Sequence, residues 1–133
     1  MPDRVWPRRL LTAFYWIVAF TFIMGCITKF WPGPTFFGPA YSVKFAEWGY
    51  PSWFRFIVGS IEGVCAVLLV LPRKRFKFIG AAALMLLLTA ATTTHIVAAS
   101  ELQERIAAPT NLGIMVFFVL LNWPADWGEL LRP

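Results

Sequence analysis

Residues 54–71 read FRFIVGSIEGVCAVLLVL. Beyond Arg55 the run is apolar or small, except for Ser60 and one carboxylate, Glu62, held between Gly59 and Gly63. A run of this length approaches the ~20 residues that cross a ~30 Å hydrocarbon layer at 1.5 Å per residue. An ionised glutamate costs ~3 kcal/mol there unless it is partnered. The stretch predicts a membrane helix whose glutamate turns inward to meet a cation.

Composition points the same way. Hydrophobic residues make up 59 % of the 133-residue chain and charged residues 14 %, where a soluble domain has about a quarter charged. Seven tryptophans suit the headgroup boundary of a bilayer. The expectation is a single integral membrane domain over 1–133. The net charge of +5 sits at the ends of apolar segments rather than on one face, which argues for lipid and against nucleic acid as a partner.

Four apolar runs predict four spans, at about 10–30, 54–71, 76–98 and 106–123, and so an all-α bundle of four transmembrane helices. Trp31-Pro32-Gly33-Pro34 ends the first, because proline lacks a donor and disfavours helix in the residue before it. Pro72-Arg73-Lys74-Arg75 reads as a tight basic turn between the second and third. Ser100 and Gln103 have the spacing of a capping box before the fourth, and Pro109 suits a first turn. Arg4, Arg8, Arg9, Arg73, Lys74, Arg75, Lys77 and Arg132 fall on one side, eight of the twelve basic residues. By the positive-inside rule both termini are cytoplasmic. In the outer loop, Tyr41, Phe45 and Trp48 recur at helical spacing with Ser42, Lys44 and Glu47 opposite, predicting a short helix in the outer interface; a lid packed on the helices shares that pattern.

Counting 1.5 Å per residue from Arg55 puts Glu62 about 10 Å below the outer boundary. Lys29 ends the first span, Thr92 and His95 lie near the outer end of the third, and Asn111 opens the fourth. Such groups turn inward and pair, so Lys29, Glu62, Thr92, His95 and Asn111 are expected to form one polar cluster, with Lys29 on Glu62. The cluster reads either as structural glue or as a ligand or proton site. Gly59 and Gly63 make a GxxxG pair that admits a neighbouring backbone, with Gly25, Ala90 and Ala91 as small partners. Cys26 and Cys65 lie near the cluster and read as small hydrophobes or as a redox pair. The sequence lacks the residues for bis-histidine haem, an iron–sulfur cluster, a di-iron site or another metal centre, and no catalytic residue is singled out.

Three stretches carry a resemblance. FIMGCITKF at 22–30 ends the first span in G-x-x-x-K. WGYPSWFRFIVGSIEGVCAVLLVLPR at 48–73 runs from a G-x-P turn into G-x-x-E. AAALMLLLTAATTTHI at 81–96 closes on His95. In order and spacing they resemble the DoxX-like family of small four-helix membrane proteins, over roughly 20–96. The resemblance implies a four-helix bundle with Lys29, Glu62 and His95 at recurrent polar positions. It also implies a bacterial cytoplasmic membrane and an association with redox assemblies, including thiosulfate:quinone and quinol oxidase systems. Three functions stay open: a non-catalytic accessory or assembly subunit among other membrane protein subunits, a quinone-linked oxidoreductase component with its site near Lys29, Glu62 and His95, and a small transporter.

Overall fold

The structure, a computed structural model, describes residues 2–36, 38–98 and 102–130. Five helices follow one another: α1 (Pro2–Phe30), α2 (Tyr41–Glu47), α3 (Phe54–Val70), α4 (Lys74–Val97) and α5 (Leu102–Leu121), then a 3-10 turn at Trp127–Leu130. Among the described residues no strand forms. Helices α1, α4 and α5 contain stretches long and apolar enough to cross a membrane, Pro7–Phe30, Lys74–Val97 and Glu104–Leu121.

The helix bounds differ from the apolar runs for local reasons. Helix α1 continues back to Pro2, through Pro7, well before its apolar residues begin. Helix α3 stops at Val70 because Leu71 precedes Pro72 and takes an extended conformation (φ −66°, ψ 144°). The basic turn is shorter than expected, since Lys74 and Arg75 already belong to α4. Lys77 folds back, and its Nζ donates to the carbonyls of Leu69 at 2.8 Å and Leu71 at 2.6 Å. That cation serves the open carbonyl end of α3, where the helix dipole favours positive charge. Arg55 does the same for α1, donating from Nη1 to the carbonyls of Lys29 at 3.2 Å and Trp31 at 3.1 Å. Pro109 lies inside α5 rather than in its first turn. Ser100, Glu101 and Arg132 lie outside the described residues, and with them the capping box.

Helix α1 packs on α3, α3 on α4, and α4 on α5. Glycine sets two of these approaches. A Cβ on Gly63 would stand 2.9 Å from Cys26 Sγ, and one on Gly59 would stand 3.1 Å from Lys29 Cβ, so the GxxxG face of α3 receives α1. A Cβ on Gly80 would lie 2.9 Å from Leu68 Cβ and 3.0 Å from the Cys65 carbonyl, so α4 meets α3 almost backbone to backbone. Phe118, Leu69, Leu84 and Met115 are fully buried in the core these helices share.

Helices α1 and α5 meet differently, through side chains at the end nearer Pro72. The Tyr15 ring stacks on Phe118 with centroids 4.2 Å apart, and Phe14 meets Phe118 edge-on at 5.4 Å. Asn122 Nδ2 donates to the Tyr15 hydroxyl at 2.6 Å and to the Phe118 carbonyl at 2.9 Å.

At the other end α2 lies across the helices. The short helix forms where its spacing predicted, and Tyr41 and Phe45 are buried. Lys44, expected on the outer side, is buried as well, at 4 % exposed. The packing of this face is that of a lid. A Schellman close ends the helix: Gly49 adopts φ 91°, its N–H reaches the Ala46 carbonyl at 3.1 Å, and the Tyr50 N–H reaches that of Phe45 at 2.9 Å. The chain thereby reverses and brings Tyr50 down beside α4.

Candidate functional site

Beneath α2 lies a cavity of about 250 Å³ lined by residues of all five helices. Gly25 and Lys29 contribute from α1, Glu62 from α3, Ala91 and His95 from α4, and Glu104 and Asn111 from α5. Tyr41, Phe45, Trp48, Tyr50 and Phe54 make an aromatic roof and wall.

Lys29 Nζ lies 2.8 Å from Glu62 Oε1, with both side chains about one-tenth exposed (10 % and 11 %). Gly25, one turn before Lys29, leaves room for the carboxylate: a Cβ there would collide with Glu62 Oε2, and that side chain would have to shift. The glycines thus work in both directions. Gly25 on α1 admits the carboxylate from α3, while Gly59 and Gly63 on α3 admit Lys29 and Cys26 from α1.

A second ion pair went unseen in the sequence. Lys44 Nζ meets Glu104 Oε1 at 2.7 Å, with side chains 5 % and 16 % exposed. It fastens α2 to the first turn of α5. The ring of Tyr41 joins the two pairs, with the ammonium groups of Lys29 and Lys44 each 4.7 Å from its centroid. Glu62, Lys29, Tyr41, Lys44 and Glu104 therefore form a ladder of acid, cation, aromatic, cation and acid from α3 to α5. Cation–π contacts of this kind contribute ~2 kcal/mol when desolvated. Burial, reinforced by the Glu62 and Glu104 carboxylates, raises the Tyr41 phenol above its ordinary range, while a hydrogen bond with Thr28 opposes the rise. The phenol therefore stays protonated at neutral pH.

A signal for the second pair was present. Tyr41, Lys44, Phe45 and Trp48 are spaced i, i+3, i+4 and i+7, so Lys44 shares the apolar face. Glu104 stands just before the fourth apolar run, at the same end of the helices as Lys44. Lys44→Met is expected to cost roughly 2 kcal/mol, below the ~3–5 kcal/mol of a fully buried pair because Glu104 is partly exposed. Thermolysin cleavage within 40–50, set beside the melting temperature, checks it: the variant should be cut faster than the parent under native conditions.

The remaining polar residues divide. His95 lines the cavity and meets the Trp48 ring edge-on, with centroids 4.8 Å apart. Asn111 also lines it. Thr92 does not, and its buried Oγ1 has no hydrogen-bond partner. Thr94 takes the place expected for it, lining the cavity and sharing a 2.7 Å hydrogen bond with the Tyr50 hydroxyl. The cavity face of α4 runs through Leu87, Leu88, Ala91, Thr94 and His95, which leaves Thr92 at its margin. Ala90 and Ala91 line the cavity, as Gly25 does, and the nearest neighbours of Gly59 and Gly63 are Lys29, Phe30 and Cys26 of α1. Cys26 and Cys65 are free thiols. Cys26 Sγ packs on Gly63, whereas Cys65 is buried where α3 meets α4 at Gly80. Two residues along a helix turn about 200°, so the sulfur-bearing faces diverge.

Among the described residues no three of His, Cys, Asp and Glu converge as metal ligands. The site is an aromatic chamber with two matched ion pairs, an imidazole and a primary amide. That set can orient a polar head by hydrogen bonds while excluding water. A family model described as "DoxX-like family" matches residues 13–119. No curated protein and no solved structure matches the chain.

Proposed function

The chain belongs to the DoxX-like family, and from that premise we propose that it is a membrane binding protein holding the head of a lipophilic molecule of the quinone class for a redox partner. The cavity carries this reading: about 250 Å³ walled by aromatics, with Lys29, Tyr41, His95 and Asn111 at its edge. Apolar pockets with a few converging polar groups are the usual form of a small-molecule site. Lys29 and the Tyr41 phenol supply donors for a carbonyl oxygen, and the rings of Phe45 and Trp48 offer faces for a flat head.

In this proposal α3 is a fourth span. Its 17 residues reach about 25 Å, and it lies between α1 and α4 in the packing order. The chain is then one domain, a four-helix bundle, in a bacterial cytoplasmic membrane. Arg8, Arg9, Arg73, Lys74, Arg75 and Lys77 mark the cytoplasmic side, with both termini. Helix α2 and the cavity face outward.

Decylubiquinone titrated into the purified protein in nanodiscs, followed by quenching of tryptophan fluorescence, tests the binding. The expected result is saturable quenching that Ala91→Phe, which adds a ring to the cavity wall and alters no member of either ion pair, weakens by about tenfold or more. If quenching does not saturate, or if the filled cavity binds as well as the open one, the reading fails.

One observation favours a second reading. Both carboxylates of the ladder are already matched, as they are where ion pairs serve only to join helices. On that reading the chain is a non-catalytic accessory or assembly subunit. A mild-detergent extract of the native membrane decides it by mass: a heavy particle with stoichiometric partners supports a subunit, and a lone chain carrying quinone supports the first reading.

A further inference from the structure

We infer that the cavity is entered sideways, from within the bilayer, through the seam between α1 and α5, and that its ligand is an uncharged amphiphile whose flat head sits inside while its tail lies in the seam. The inference rests on the binding reading above and adds the route and the ligand's shape.

The seam comes from the packing order. Helices α1 and α3, α3 and α4, and α4 and α5 pack backbone against backbone, whereas α1 and α5 do not. Large side chains fill the gap at the Pro72 end, where Tyr15 and Phe14 reach Phe118 and Asn122. At the level of the cavity α1 contributes Thr21, Phe22, Gly25 and Lys29, and α5 contributes Glu104, Ala107, Ala108 and Asn111; Thr21, Gly25, Ala107 and Ala108 among them are small. Thr21 and Ala107 line the cavity and are also exposed on the outer surface. The wall there is one short side chain thick, and it faces lipid, since both helices are long and apolar enough to span.

At the end of the helices where α2 lies, the cavity has a roof. Helix α2 lies over the cavity, tied to α5 by Lys44 and Glu104 at 2.7 Å. The turn after it is fastened to α4 by the hydrogen bond between Tyr50 and Thr94 at 2.7 Å.

The ligand's character follows from the wall. Two ammonium groups are balanced by two carboxylates, Lys29 by Glu62 and Lys44 by Glu104. An ionic head would have to break one of these pairs, so a neutral head with acceptor oxygens is favoured. Phe45 and Trp48 favour a planar one. At about 250 Å³ the chamber is smaller than the ~300–1,000 Å³ that encloses a drug-sized ligand. It has room for a ring and leaves a long tail outside, in the seam.

The test compares a tailed and a tailless head on variants of the seam. Ala107→Trp and Thr21→Trp are made separately, each placing a large ring at an exposed position on the cavity rim, with the melting temperature as control. Binding of ubiquinone-10 supplied in the nanodisc lipid, and of 2,3-dimethoxy-5-methylbenzoquinone added from water, is read by tryptophan quenching referenced to each variant alone. The expected result is that either substitution weakens ubiquinone-10 by about tenfold more than it weakens the tailless quinone, because the ring closes the seam as well as narrowing the cavity. Equal weakening of the two quinones overturns the lateral route. If both quinones bind the seam variants as they bind the parent, the lateral route is overturned and the head site stands. If neither quinone binds the parent, the binding reading and the route fall together.

Discussion

Lys29→Met is expected to destabilise the protein by ~3–5 kcal/mol, because it leaves the Glu62 carboxylate, about nine-tenths buried, without its cation. Glu62→Leu leaves Lys29 in the same position. The double variant Lys29→Met/Glu62→Leu removes both charges together and is expected to recover most of the loss, since a matched buried pair contributes little net stability over apolar residues of similar size. Unfolding by a titrated denaturing detergent, followed by tryptophan fluorescence, gives the four corners of the cycle. A coupling energy near zero would show that the two side chains do not depend on each other. The sign also bears on function. A double variant that is stable yet binds no quinone separates the pair's part in the site from its part in the fold.

The second large effect lies away from the cavity. Gly80→Leu is expected to cost about 3 kcal/mol, at the upper end for overpacking. The first side-chain atom would already sit 3.0 Å from the Cys65 carbonyl and 2.9 Å from Leu68 Cβ. Neither neighbour is the end of a flexible chain, so relief requires α3 and α4 to part. Gly113→Leu is the control: it too lies in a helix, but a Cβ there meets nothing within 4 Å. It should change stability by no more than about 0.5 kcal/mol. Equal effects at the two sites would refute the close approach of α3 and α4.

What the sequence made legible follows from the strength of each physical signal. Long apolar runs and the high cost of a lone carboxylate in lipid located the helices and pointed Glu62 toward Lys29. Weaker signals misled. Lys44 read as outward because a charged residue on a seven-residue amphipathic helix ordinarily faces water, and its partner Glu104 is 60 residues away. Thr92 shares a face with His95 at three-residue spacing, yet the α4 face that lines the cavity is centred about one residue away and takes Thr94. Lys77 and Arg55 read as markers of the membrane boundary, and their donation to the carbonyl ends of α3 and α1 is a matter of tertiary geometry. The early stop of α3, by contrast, was written in the Leu71-Pro72 step.

The ladder through Tyr41 makes the position of the lid and the charge of the chamber a single variable. With α2 seated, its four ionic groups cancel. If α2 lifts, it carries Lys44 and the Tyr41 ring away together, leaving one ammonium and two carboxylates around the opening. The closed chamber suits an uncharged guest, whereas the open mouth draws cations, the more so at low ionic strength, where screening is weak. Salt therefore bears on the charges of the open mouth far more than on the seated lid, whose buried pairs are screened little.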